Sequence, residues 1–115
     1  RGMQYINVMF GGKLWYHPKL PVNRTRGVDH QVWLVKEQRN IWVNNYHSDC
    51  IYEEGLASCF EPLAIDRENH VVEAYGSDEM KILALQWHPE RRFETANAYE
   101  ETRKIILDFI QKYVK

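Results

Sequence analysis

Apolar residues recur at Met3, Ile6, Met9 and Phe10, on one face of a helix, and the run stops at Gly11-Gly12. This spacing predicts a short helix over residues 2–10, with Gly11 at its left-handed C-terminal cap. The first amides of such a helix, those of Arg1 and Gly2, have no partner within it and suit an anion or a developing oxyanion. Residues 13–29 carry Pro18, Pro21 and Gly27 without a period and read as a loop. Residues 31–35 and 41–44 are rich in β-branched and aromatic side chains, and the polar stretch 36–40 between them predicts a hairpin. Three further apolar runs, 63–65, 71–75 and 82–87, are separated by turn-like residues at 66–69 and 76–78 and predict three neighbouring strands. The chain closes on Ile105, Ile106, Phe109, Ile110 and Tyr113, the spacing of an amphipathic helix, with Asn97 and Glu100 as a capping pair at its start.

A length of 115 residues allows one domain or part of one. With 15 Lys plus Arg against 16 Asp plus Glu the net charge is -1, which provides no long-range field for a polyanion and argues against nucleic acid as a partner. Hydrophobic residues make up 44% and charged residues 27%, enough for a core under a soluble surface, which excludes disorder. No apolar run approaches the roughly 20 residues that span a bilayer, and the first ten residues lack the form of a signal peptide, so a cytoplasmic location is expected. Cys50 and Cys59 make neither a disulfide framework nor a zinc set, and His17, His30 and His70 lack ligand spacing. No metal and no cofactor are called for. The chain opens on Arg1 and runs at once into a helix, which reads as the middle of a domain.

Chemistry concentrates in Gln86-Trp87-His88-Pro89-Glu90 at the end of the last predicted strand. Side chains two apart on an extended chain share a side, so His88 and Glu90 meet if the extended conformation continues through Pro89. A carboxylate on one imidazole nitrogen fixes the tautomer and leaves the other nitrogen to take a proton from a nucleophile. By itself the tripeptide reads more readily as a strand end with a surface ion pair.

Its company is more specific. Arg1-Gly2-Met3-Gln4, Asn7-Val8, Gly11-Gly12, His30-Gln31-Val32, Val43-Asn44-Asn45-Tyr46-His47, Val72-Glu73-Ala74 and Gln86-Trp87-His88-Pro89-Glu90 occur in one order along nearly the whole chain. In this the chain resembles the class I glutamine amidotransferase superfamily, and within it the γ-glutamyl hydrolase branch, typified by γ-glutamyl-γ-aminobutyrate hydrolases. The resemblance implies an α/β fold: the C-terminal half of a flavodoxin-like mixed sheet with flanking helices, residues 1–115 being the C-terminal portion of a single domain. In that family Arg-Gly-x-Gln directly follows a catalytic cysteine, so the nucleophile is expected just upstream of Arg1. Neither Cys50 nor Cys59 precedes an Arg-Gly pair.

The resemblance further implies hydrolysis of a γ-glutamyl amide through a Cys-His-Glu triad and a γ-glutamyl thioester. His88 is then base and acid, Glu90 its orienting partner, and the backbone N–H of Arg1 an oxyanion donor. Gln4, Asn45, Tyr46 and His47 fall where the family lines the glutamyl pocket, although Gln4 facing solvent and Tyr46 serving only the core are the plain alternatives. The expected partners are the N-terminal half of the same protein and a small γ-glutamyl substrate, with no nucleic acid or membrane and with homo-oligomerisation left open. A half-sheet without its first strands is expected to expose unpaired backbone and apolar faces, so residues 1–115 should aggregate alone or be held by the missing half. Two other readings stand: a glutaminase module sending ammonia to a synthase, and a binding relative without the cysteine. Where relatives carry Asn-Ser-x-His-His-Gln, this chain has Asn44-Asn45-Tyr46-His47-Ser48-Asp49. Lys13, Lys19, Arg24 and Arg26 make the first loop basic, which fits either an acidic or phosphorylated leaving group or a solvated loop.

Overall fold

A computed structural model describes residues 2–16, 18 and 26–113. Helix α1 (Gly2–Met9) is followed by strands β1 (His30–Leu34) and β2 (Arg39–Val43), a 3-10 turn (Glu53–Gly55), strands β3 (Glu61–Asp66), β4 (Val71–Ser77) and β5 (Ile82–Leu85), and helix α2 (Ala98–Tyr113). The strands form one sheet in the order β2-β1-β3-β4-β5, and every pairing in it is antiparallel. The predicted hairpin is β1–β2, with Val32 opposite Ile41 and His30 opposite Val43.

Successive residues on a strand face opposite sides, and each face of this sheet carries its own core. Tyr75 and Ala84 pack with Met3, Ile51 and Phe60 under α1, whose Ile6 adds to that cluster, and Val72 joins them because the β3–β4 register shifts between Ala64–Ala74 and Ile65–Val72, leaving Glu73 over and reversing the alternation there. Ala74 and Leu85, next to Tyr75 and Ala84, lie in the other cluster, with Val32, Leu34, Ile41, Val43 and Trp87, against Ile105 of α2. Strand β4 is therefore buried on both faces, including the carboxylate-bearing Glu73.

Helix α1 ends as its glycines predict. Gly11 has φ 97°, the Gly11 N–H donates to Val8 C=O at 3.1 Å, and the Gly12 N–H donates to Asn7 C=O at 2.8 Å, the paired bonds of a Schellman cap. Asn7 is fully buried and staples this end to the turn at 53–57: its Nδ2 donates to Gly55 C=O at 2.9 Å and its Oδ1 accepts from the Ala57 N–H at 2.8 Å. A β-carbon on Gly12 would lie 2.3 Å from the Asn7 amide nitrogen, so the second glycine is demanded by close approach. Met3 and Ile6 face the core as expected, but Met9 and Phe10, expected on the same face, are exposed together with Tyr5 and Val8: the helix ends at Met9, and Phe10 beyond it meets the core through an edge contact with Phe60. At the start of α2, Asn97 takes φ 67° and supplies its carbonyl to the Glu101 N–H at 3.0 Å. Within the first loop, Trp15 pairs with Cys50 across an isolated bridge. Among the described residues no helix is long and apolar enough to cross a membrane.

Candidate active site

His88 and Glu90 do meet, but not by the extended route. Strand β5 stops at Leu85, and His88-Pro89-Glu90-Arg91 folds as a turn in which the Arg91 N–H donates to His88 C=O at 3.0 Å. Proline favours the second position of such a turn, and this preference outweighs its tolerance of extended backbone. The turn brings Glu90 Oε2 to 2.9 Å from His88 Nδ1. His88 is partly buried and the Glu90 side chain 67% exposed. The hydrogen bond from His88, with a smaller contribution from its own backbone, lowers the Glu90 pKa below the ordinary 4.5. With a carboxylate on Nδ1, the other ring nitrogen of His88 is the one left for a proton acceptor's work.

Two further groups border the histidine. The Tyr46 ring stands edge-on to it, with centroids 6.1 Å apart and planes at 87°. The guanidinium groups of Arg91 and Arg26 lie 4.8 and 5.8 Å from the Tyr46 ring centre, and Arg26 also donates to Tyr46 C=O at 3.1 Å. Of the basic loop residues singled out from sequence, Arg26 thus reaches the site and Lys13 is exposed, whereas Lys19 and Arg24 lie outside the described residues. So does Arg1, the expected oxyanion donor.

The remaining expected residues sit deeper. Gln4 is buried, which removes the solvent-facing alternative, and its Nε2 donates to Asp49 C=O and to Gln86 Oε1, both at 3.2 Å. It ties α1 to the end of β5 and to the segment that follows β2. The carbonyl of Asn45 accepts from the Gly27 N–H at 2.7 Å. His47 points inward: its Nδ1 lies 2.7 Å from Asp49 C=O, which can only accept, so Nδ1 carries the proton. His47 Nε2 is 3.5 Å from one oxygen of Glu73, and His30 Nε2 is 3.5 Å from the other. The structure therefore brings His88, Glu90 and Tyr46 into contact with one another, and it separately joins the buried Gln4 to His47 through Asp49 C=O.

Residues 1–90 match the family model described as Peptidase C26. The chain belongs to the Peptidase C26 family. The match ends on Glu90, the carboxylate that holds His88. A curated relative, the glutamine amidotransferase-like protein YvdE of Lactococcus lactis subsp. lactis (strain IL1403), is 30% identical over 111 residues, covering 83% of this chain and 45% of that protein. A solved structure from Thermoplasma acidophilum, described as a GMP synthase subunit, superposes with a TM-score of 0.67 at 20% identity, covering 96% of this chain and 54% of that one. At that identity the likeness is one of fold, and it agrees with the mixed α/β architecture expected from the motifs. These findings place this C26 chain in the class I glutamine amidotransferase superfamily, and it spans about half the length of each of those two proteins.

Several residues around the candidate site have no role assigned from sequence. Glu73 is a carboxylate inside Val71-Val72-Glu73-Ala74-Tyr75, and a charge in an apolar strand demands a polar partner, so a signal exists for it. Asn44 and Arg91 give no comparable sign, because their partners are remote backbone groups and a ring brought near by the fold. Among the described residues no group of three or more His, Cys, Asp or Glu is placed to hold a metal ion.

Proposed function

We propose that the intact protein hydrolyses a γ-glutamyl amide through a Cys-His-Glu triad of which this chain supplies His88 and Glu90. The observation that carries the reading is the 2.9 Å contact from Glu90 to His88 Nδ1 in a chain whose first turn of helix opens at Gly2. A cysteine just ahead of Arg1 would sit at the N-terminus of α1, where unpaired amides and the helix dipole favour a thiolate. Its sulfur attacks the γ-carbonyl, and the Arg1 N–H donates to the oxyanion. The C–N bond then breaks as His88 passes its proton to the departing amine. Water, deprotonated by His88, next cleaves the γ-glutamyl thioester, releases glutamate and restores the thiol. Gln4, Asn45, Tyr46 and His47 would border the glutamyl group, Tyr46 nearest the reacting carbonyl. An N-terminal half of the same domain would cover the exposed Tyr5, Val8, Met9 and Phe10. Arg26 and Arg91 beside Tyr46 favour an acidic or phosphorylated leaving amine over a neutral one.

The test uses the intact protein with γ-glutamyl amines as substrates. His88→Ala should lower kcat by about 10²–10⁴-fold, and mass spectrometry of the rapidly quenched wild-type reaction should find a γ-glutamyl adduct on the upstream cysteine. Undiminished turnover in the variant would refute the triad. Turnover of free glutamine that rises only with a synthase present would instead favour an ammonia-delivering module. Equal rates with neutral and phosphate-bearing amines would remove the arginine assignment.

A further inference from the structure

We infer that Asn44 is the positioning residue for His88, a role that rests on the triad proposed above. Asn44 is fully buried and follows the last residue of β2, one edge of the sheet, whereas His88 follows β5, the opposite edge. The two chain segments converge beyond the strand ends, and there the Asn44 amide closes on one residue from both sides. Its Oδ1 accepts from the His88 N–H at 2.9 Å, and its Nδ2 donates to His88 C=O at 2.8 Å. The same Nδ2 lies 3.4 and 3.3 Å from the carbonyl oxygens of Arg91 and Arg92, the far side of the turn that carries Glu90. One side chain thus acts as a strand partner for a residue that has left the sheet.

The consequence for the imidazole is geometric. The direction of the Cα–Cβ bond is set by the backbone, so fixing both the N–H and the C=O of His88 fixes where the ring begins. Glu90 acts at the other end and fixes how the ring is turned, through Nδ1. Without Asn44 the partly buried N–H of His88 loses the partner found for it here, and Pro89 has no N–H to stiffen the next peptide. A displacement of about 1 Å at a reacting group costs on the order of 100-fold in rate.

The experiment combines rates with amide hydrogen exchange on the intact protein. Asn44→Ala should lower kcat by about 10- to 100-fold while KM stays within about twofold. In a His88→Ala background the same change should leave the residual rate unaltered, because Asn44 acts only through that ring. The His88 amide should exchange at least tenfold faster in Asn44→Ala, with Val32 and Ile41 amides protected as before. Asn44→Asp keeps an acceptor for the His88 N–H but turns a carboxylate toward three carbonyls, so it should retain more amide protection than Asn44→Ala and still lose rate. Equal losses in the presence and absence of His88, or unchanged exchange at His88 in both variants, would overturn the assignment. Should His88→Ala alone leave turnover intact, the triad falls and the clamp loses its catalytic sense, an outcome distinct from a failure of the clamp.

Discussion

Replacing Asn7 by alanine removes the staple that holds the C-terminal end of α1. Three bonds disappear: Nδ2 to Gly55 C=O at 2.9 Å, Nδ2 to Lys13 C=O at 3.3 Å, and the Ala57 N–H to Oδ1 at 2.8 Å. The two short ones are buried, so a carbonyl and an N–H are left without protein partners. At roughly 1–3 kcal/mol for each stranded group the cost is about 2–6 kcal/mol, a large part of the 5–15 kcal/mol by which domains are ordinarily stable. Equilibrium urea unfolding of the intact protein, followed by circular dichroism, measures it as a lowered midpoint with an unchanged slope. Asn7→Asp sharpens the test. A carboxylate there faces the carbonyls of Gly55 and Lys13, so the folded state favours its neutral acid and raises its pKa. Such a group is accommodated below its unfolded pKa of about 3.9, and the stability is lost as pH rises through the raised folded value. The deficit of Asn7→Asp should therefore shrink on acidification relative to wild type, while that of Asn7→Ala should not. An alanine variant within about 0.5 kcal/mol of wild type would refute the reasoning, since it would mean that the stranded groups find water or one another.

Gly12→Ala should cost about 1–3 kcal/mol because its methyl would press on the pinned Asn7 amide, and most of that loss should vanish in an Asn7→Ala background, as a double-mutant cycle by urea unfolding would show. The Glu90 carboxyl, held down chiefly by the His88 hydrogen bond, should titrate by NMR below 4.5, and in His88→Ala it should move back up. Any stability it contributes is therefore present above 4.5 and lost as pH falls through the lowered value. Tyr75 is buried and donates from its hydroxyl to Met3 C=O, and burial pushes its pKa to about 12. Ultraviolet titration should show a late phenol near 12 that Tyr75→Phe removes, with about 1–2 kcal/mol of stability lost on breaking the hydroxyl bond.

What the chain determines by itself is everything written in local periodicity. The spacing of Met3 and Ile6 and the glycines behind them predict α1 and its cap; the β-branched runs predict five strands; Ile105 and its neighbours predict α2. His88 and Glu90 are also legible as a pair, being two residues apart, although the alternation of strand side chains points to an extended link where the structure has a turn, because proline permits both. The order of motifs is enough to indicate the superfamily. Tertiary structure decided the rest. It brought Asn44 across from the opposite edge of the sheet to His88, set Glu73 between His30 and His47, and laid two guanidinium groups against Tyr46 beside the His88 ring. These contacts join residues that are mostly distant in sequence and follow no period, so each is fixed only once the strands have chosen their order and the loops their crossing points. Hydrophobic patterning selects which face of an element is buried, whereas the partner of a buried polar group depends on which backbone groups packing happens to leave unpaired nearby.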